Sequence, residues 1–553
     1  MPGSKCLDVS TDIKKASWSV IVMLAAAQFI MVLDTTVMNV SISQVVEDLN
    51  TTVVGLQSAI TIYTLVMASF MLLGGKLGDR WGAKRAFAVG LVIYGVGSFI
   101  TAISPNLAVL LIGWSIIEGL GAALVIPAIA ALTASTYEGK QRVLAYGVLG
   151  GVAGASAAAG PLIGGWVGTM FSWRYVFAGE TVVVAILMTL LFLIPSVKGK
   201  DVGLDPLGAV LSIAGLGLGV FAILRSSQWG WILPGPKPLT INGTEITPLG
   251  LSPVLWLLIA SCFLLAAFVR HEQKVVENGG EPLVDLNLLK IPTLRAGLIM
   301  IGAQQFIIMA TFFVLPLYLQ SVLGFDAFKT GVAILPLSIA LLVFALGGAA
   351  LSSRVPVRQI VRIGIFAMLV GEVVMLAAID VELRSWGFGI GLALVGAGLG
   401  LLASQLGNVI MSSAPPKSTS EAGGLQGTAQ NLGASLGTAL VGAVLIGVLS
   451  ATFATTIQEQ PNLSAEVKLE ASNALTASAN FVTVDQVDAA ATQAGLSSEE
   501  TAQVVAAYSE AQLTALRGSL AAIALFALVT LGYLRRIPKS SRPPVAMEQV
   551  TTT

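Results

Sequence analysis

Hydrophobic positions along this chain neither alternate nor recur at helical spacing; they come as near-continuous runs of about 20 residues, separated by short polar links. A helix of that length rises about 30 Å, the thickness of a bilayer's hydrocarbon core, and a helix satisfies its own backbone there. The runs lie near 18–40, 55–75, 86–104, 107–133, 143–167, 175–195 and 207–226, then near 252–270, 294–320, 330–351, 359–379, 386–411, 424–451 and 515–535. The pattern predicts an all-α polytopic membrane protein with fourteen transmembrane helices and both termini on one side. Basic residues crowd alternate links, with clusters at Lys76, Arg80, Lys84 and Arg85, at Arg354, Arg358 and Arg362, and at Arg535, Arg536, Lys539 and Arg542. By the positive-inside rule those links, and so both termini, are expected in the cytoplasm.

Composition agrees: 55% of residues are hydrophobic and 11% charged, against about 25% charged in soluble domains. The 30 basic and 30 acidic residues balance, and the scattered basic groups leave no footprint for nucleic acid. Cys6 and Cys262 are too few for a disulfide framework or zinc site. His271, the lone histidine, falls at the inner end of the eighth run. No phosphate-binding loop, metal-ligand cluster or nucleophile elbow stands in a suitable setting. The sequence therefore predicts no enzyme, no metal and no cofactor, and energy drawn from an ion gradient rather than from ATP. Residues 1–17 are polar with three lysines and show no cleavage site, so the first span is expected to be retained.

The segment Leu77-Gly78-Asp79-Arg80-Trp81-Gly82-Ala83-Lys84 after the second run aligns with Leu351-Ser352-Ser353-Arg354-Val355-Pro356-Val357-Arg358 after the tenth. That suggests an internal repeat: a six-helix bundle in 18–200, two inserted helices in 201–290, a second six-helix bundle in 291–537 and a cytoplasmic tail in 538–553, with substrate held between the halves. Two outer links are long. One, about 226–252, is rich in Pro and Gly and carries Trp229 and Trp231 as interfacial anchors. The other, 454–513, is acidic and rich in Ala, Ser, Gln and Glu, a composition that favours helix.

Inside the runs a few ionisable groups stand out, because a carboxylate at the centre of a span costs about 2.5–3.5 kcal/mol on insertion scales. Asp34 lies in the first run, either as a proton-carrying group or as a structural acid bonded to Thr35 or Thr36. Glu118, Glu180 and Glu372 lie in the fourth, sixth and eleventh. With about 1.5 Å of rise per residue, Glu118 sits roughly 16 Å and Glu180 roughly 8 Å from the outer face, in the same half of the bundle as Asp34. Three acids gathered there can exchange protons, and they can also read a cationic substrate. Glu372 is either a second cation-recognition group or a structural acid. Gln304, Gln305, Phe306 and Met309 make a mixed stripe suited to an amphipathic ligand or to packing, and Trp114 can stack on a flat cation or pack.

The run Gly74-Gly75-Lys76-Leu77-Gly78-Asp79-Arg80-Trp81-Gly82-Ala83-Lys84-Arg85 closely resembles the cytoplasmic signature of the major facilitator superfamily. Ser156-Ala157-Ala158-Ala159-Gly160-Pro161-Leu162-Ile163-Gly164-Gly165 is similar to its antiporter motif, and Leu33-Asp34-Thr35-Thr36-Val37-Met38-Asn39-Val40 to the first-span motif of its fourteen-span drug:proton antiporters. The resemblance implies export of hydrophobic, cationic compounds in exchange for protons, by a monomer in the plasma membrane surrounded by lipid. It implies proton coupling at Asp34, to which helix depth, rather than the resemblance, adds Glu118 and Glu180. It also implies a gate built from Gly75, Asp79, Arg80, Gly82, Lys84 and Arg85, and a moving interface at Gly160, Pro161 and Gly164. Two positions depart from the family pattern: Ser115 stands where relatives carry Arg, and Glu180 where they carry Asn.

Overall fold

The computed structural model describes residues 18–534 apart from 52, 197–198, 200–202, 236–237, 242–243, 353, 381–384, 416–417, 462 and 479–480. Segment 1–17 with Cys6, the tail with Arg535, Arg536, Lys539 and Arg542, and the side chain of Pro161 lie outside the described residues. Each apolar run is a helix. In the first half these are α1 (Trp18–Val40), α2 (Val53–Trp81), α3 (Ala83–Ala102), α4 (Leu107–Thr136), α5 (Gly139–Met170) and α6 (Arg174–Thr189). Then come α7 (Pro206–Trp229) and α8 (Pro253–Glu277). The second half is α9 (Pro292–Pro316), α10 (Ala327–Leu351), α11 (Val357–Ala378), α12 (Ser385–Ser413), α13 (Thr419–Gln458) and α14 (Ser498–Tyr533).

Twelve helices among the described residues are long and apolar enough to cross a membrane. The predicted count was fourteen. Helices α5 and α6 lie outside the twelve; α6 spans 16 residues and a 3-10 turn, Leu191–Leu193, continues it toward the ~20 that a full crossing takes.

Helix ends follow local chemistry. Pro206, Pro253 and Pro292 open α7, α8 and α9, where a missing N–H costs nothing. Asp205 and Asp326 accept the Gly208 and Lys329 N–H groups as N-caps. Gly82, at φ 86°, turns the chain from α2 into α3 in a conformation that other residues avoid. The link before α8 carries a short two-stranded hairpin, Thr240–Ile241 against Thr244–Glu245.

Segment 454–513 is mostly helix: α13 runs to Gln458, two short helices follow at Ala465–Ser478 and Val484–Gln493, and α14 starts at Ser498. Its start is fixed by a capping box between Ser497 and Glu500. Hydropathy marked the apolar part of α14 from 515; the polar turns before it remain helical because they pack on their neighbours. The Tyr508 hydroxyl donates to the Val482 carbonyl at 3.0 Å, and the Gln512 amide donates to the same oxygen at 2.9 Å.

The two halves meet chiefly where α5 packs on α10 and α12, and where α2 and α4 pack on α13. Glycine placement shows where. On α5, side-chain space at Gly147, Gly150, Gly151 and Gly154 is taken by Ala345, Ala403, Leu342 and Leu341 of the second half. Farther along the same helix, Gly160, Gly164 and Gly168 face Thr36, Val37 and Gln44 of the first. Along α2, Gly75 meets Ser420 and Gly424 of α13, while Met71 fills the space at Gly427. The halves are therefore locked together at the end of the bundle that carries Lys76.

Candidate functional site

Asp34 on α1, Glu118 on α4 and Glu180 on α6 converge, each buried, with one carboxylate oxygen from each lying within 4.8 Å of the others. Three helices far apart in sequence thus aim acids at one point. The Trp114 indole N–H donates to Asp34 Oδ1 at 2.7 Å, and its ring stacks on Tyr63 with centroids 4.9 Å apart. The hydroxyls of Tyr94 and Ser98 on α3 each donate to Glu180 Oε2 at 3.2 Å. Among the described residues Asp34 Oδ2, Glu180 Oε1 and both oxygens of Glu118 make no close hydrogen bond, with the Tyr63 hydroxyl near Asp34 and those of Tyr94 and Ser98 near Glu118. Among the described residues no Lys or Arg pairs with any of the three. Such spacing suits shared protons, and an all-oxygen donor set also suits a hard cation.

Local backbone geometry serves this convergence. Residues Leu111–Glu118 form a π-helical stretch inside α4, a departure concentrated at functional sites in general. It carries Trp114, Ser115 and Glu118 together. Ser115 donates its hydroxyl to the Ala59 carbonyl at 2.8 Å, tying α4 to α2. Gly97 on α3 leaves room for the Glu118 backbone and Cβ. Thr35 and Thr36 do not satisfy Asp34, since their hydroxyls donate to carbonyls of α1 itself at Val32 and Leu33. Tyr63, Tyr94 and Ser98 escaped sequence reasoning, because nothing in their local sequence marks which helix faces them.

The second centre is the lock between the halves. Lys76 Nζ lies 3.4 Å from Glu421 Oε1, both groups enclosed, joining α2 to α13. Arg142 Nε on α5 donates to Asn408 Oδ1 on α12 at 3.0 Å. Asp79 is buried within electrostatic reach of Glu421. The expectation that Arg80, Lys84 and Arg85 pair across the gate does not match this geometry. Arg80 and Arg85 are exposed with no ion pair among the described residues, and Lys84 donates to the Ile194 carbonyl of its own half at 2.6 Å. Lys76 stands a helical turn closer to the interface than Arg80, so it reaches the partner helix. Glu421 was missed because it sits in the polar-looking start of α13.

The predicted substrate stripe divides. Gln304 donates to the Leu399 carbonyl at 3.2 Å, and Phe306 stacks on Phe526 with centroids 3.8 Å apart, so both hold the second half together. Gln305 and Met309 are half-buried. Trp114 is fully enclosed between Tyr63 and Asp34, which positions the acid and leaves no open face for a flat cation. Glu372 is buried in the second half, accepting the Thr311 hydroxyl at 2.8 Å with its other oxygen unpartnered.

The sequence profile of the Major Facilitator Superfamily matches residues 24–438. The chain belongs to this superfamily. Among curated relatives, a probable actinorhodin transporter of Streptomyces coelicolor is 28% identical over 80% of this chain and 75% of that protein. The multidrug resistance protein Stp of Mycobacterium tuberculosis is 26% identical over 80% of both. The methyl viologen resistance protein SmvA of Salmonella typhimurium is 29% identical over 83% of this chain and 88% of that protein. Of solved structures, the human organic anion transporter MFSD10 superposes with a TM-score of 0.53, at 11% identity, over 93% of this chain and 96% of that one. That likeness concerns the fold. The superfamily chain described here is a multi-pass membrane transporter whose relatives are drug and antibiotic resistance exporters.

Proposed function

We propose that this chain is a proton-coupled antiporter of the plasma membrane that exports hydrophobic, cationic compounds by alternating access, with fourteen spans and both termini in the cytoplasm. The observation that carries the reading is the enclosed Asp34–Glu118–Glu180 cluster, four of whose oxygens make no close hydrogen bond and which no Lys or Arg pairs with among the described residues. Three buried carboxyls cannot all ionise together in an apolar bundle without partners, so they take up protons or exchange them for another cation. Opening of the end away from Lys76 lets the enclosed cluster load protons from outside. Release of the Lys76–Glu421 pair opens the cytoplasmic side, where protons leave and substrate enters. Methyl viologen, named for one relative, is a permanent dication, which fits an acidic site.

The test uses purified protein in liposomes carrying an imposed pH gradient. Gradient-driven uptake of a lipophilic cation dye is expected in the parent and absent in Asp34→Asn and Glu118→Gln. Dye movement that ignores the gradient, or that survives both substitutions, refutes coupling at the cluster. A second reading, a dedicated exporter of one antibiotic, draws on the relative named for actinorhodin. It predicts saturable transport of a single compound and little dye flux.

A further inference from the structure

The inserted helix α7 packs where the two halves meet, against both α2 and α13, and α8 packs on α7. One apolar cluster draws on all the parts involved: Leu72 of α2, Ala209 and Leu216 of α7, Phe268 of α8, and Leu283 and Val284 of the link after α8, with Leu425 and Leu432 of α13 against it. The polar contacts follow the same path. Glu421 accepts Lys76 with Oε1 and the Asp285 backbone N–H with Oε2, the latter at 3.2 Å. The neighbouring Val284 N–H donates to Glu272 Oε2, also at 3.2 Å, near the inner end of α8. Glu272 is itself buried, and its other oxygen shares the space around Gly208 with Asp205, which His271 contacts at 2.7 Å.

From this arrangement we infer that the inserted pair is a working part of the gate: Glu272 positions the Leu283–Asp285 link so that it straps Glu421 and holds the Lys76 end shut. An acid that serves two donors from two directions is fixed more tightly than one serving a single flexible lysine, because a backbone N–H cannot swing away. Parting of α2 from α13 then breaks the Lys76–Glu421 pair, and the Asp285 N–H holds Glu421 aimed at Lys76 so that the pair stays formed. The bilayer face between α2 and α13 is covered by α7 at the same time. The inference rests on the alternating-access reading but on neither the proton nor the drug, so it stands or falls by a measurement that uses neither.

The test uses the full chain with Cys6 and Cys262 replaced by Ser and a reporter at Met71→Cys, a position enclosed against Gly427 in this conformation. A water-soluble maleimide labels the reporter only when the Lys76 end opens. Glu272→Ala is expected to raise the labelling rate about tenfold, the scale of one hydrogen bond to a charged acceptor. Glu272→Gln, which keeps an acceptor for Val284, is expected to label close to the parent. Should Glu272→Ala not fold, Asp285→Pro removes the donor to Glu421 and carries the same expectation. Parent-like labelling in the folded Ala or Pro variant overturns the strap, and so does a Gln variant that labels as fast as Ala.

Discussion

Gly75 offers the sharpest test of the lock between the halves. A methyl group added there would stand 2.7 Å from the Ser420 carbonyl oxygen and 3.3 Å from Gly424 Cα, both backbone atoms of the opposite half. Ordinary contact lies near 3.5 Å or beyond, so α2 and α13 must part by roughly 0.5–1 Å. Overpacking of this kind costs about 1–3 kcal/mol. Because the clash exists only when the halves are closed at the Lys76 end, Gly75→Ala penalises that state alone. The closed-to-open ratio is expected to fall about 5- to 150-fold. Two glycines supply the controls. At Gly74, one residue away, the methyl would overlap the Ala123 carbonyl of the same half, so the loss falls on folding rather than on the gate. At Gly447 nothing lies within 4 Å, and Ala is expected to be silent. Maleimide labelling of the Met71→Cys reporter and thermal unfolding in detergent separate the three. Equal labelling rates for Gly75→Ala and Gly447→Ala would refute the reasoning.

Two further changes probe the site. Lys76→Met leaves Glu421 enclosed without its cation and is expected to destabilise by about 3 kcal/mol; the exchange Lys76→Glu with Glu421→Lys should recover part of that by thermal unfolding, and no recovery would argue that the pair does not interact. Trp114→Phe keeps a ring against Tyr63 but removes the donor to Asp34. Gradient-driven dye uptake is expected to fall about tenfold with little change in the unfolding temperature, on the scale of one charge-assisted hydrogen bond, and an unchanged rate would assign Trp114 to packing alone.

Much of this protein was legible from hydropathy, since a bilayer punishes unsatisfied backbone and so imposes long helices wherever twenty apolar residues run together. The acids were legible for the same reason: Asp34, Glu118, Glu180 and Glu372 stand out because the surroundings make them costly. Boundaries were read less well where polar turns stayed helical, as at Ser498 to Leu513, because packing rather than composition keeps them folded. In the segment after α2 the structure encloses Lys76 against Glu421 and leaves Arg80 and Arg85 exposed. Choosing Lys76 over Arg80 needs the position of α13, which no local pattern in α2 contains.

The sequence by itself determined the class of molecule, the run of helices and the identity of the expensive groups, because those depend on each segment's transfer into lipid. Only the tertiary structure decided that acids on α1, α4 and α6 meet within 4.8 Å, that Trp114 serves Asp34, and that the inserted pair reaches the Lys76–Glu421 lock. Those facts depend on which helix faces turn toward one another. Small-residue contacts between helices set that choice, and they become visible only when every helix is packed at once.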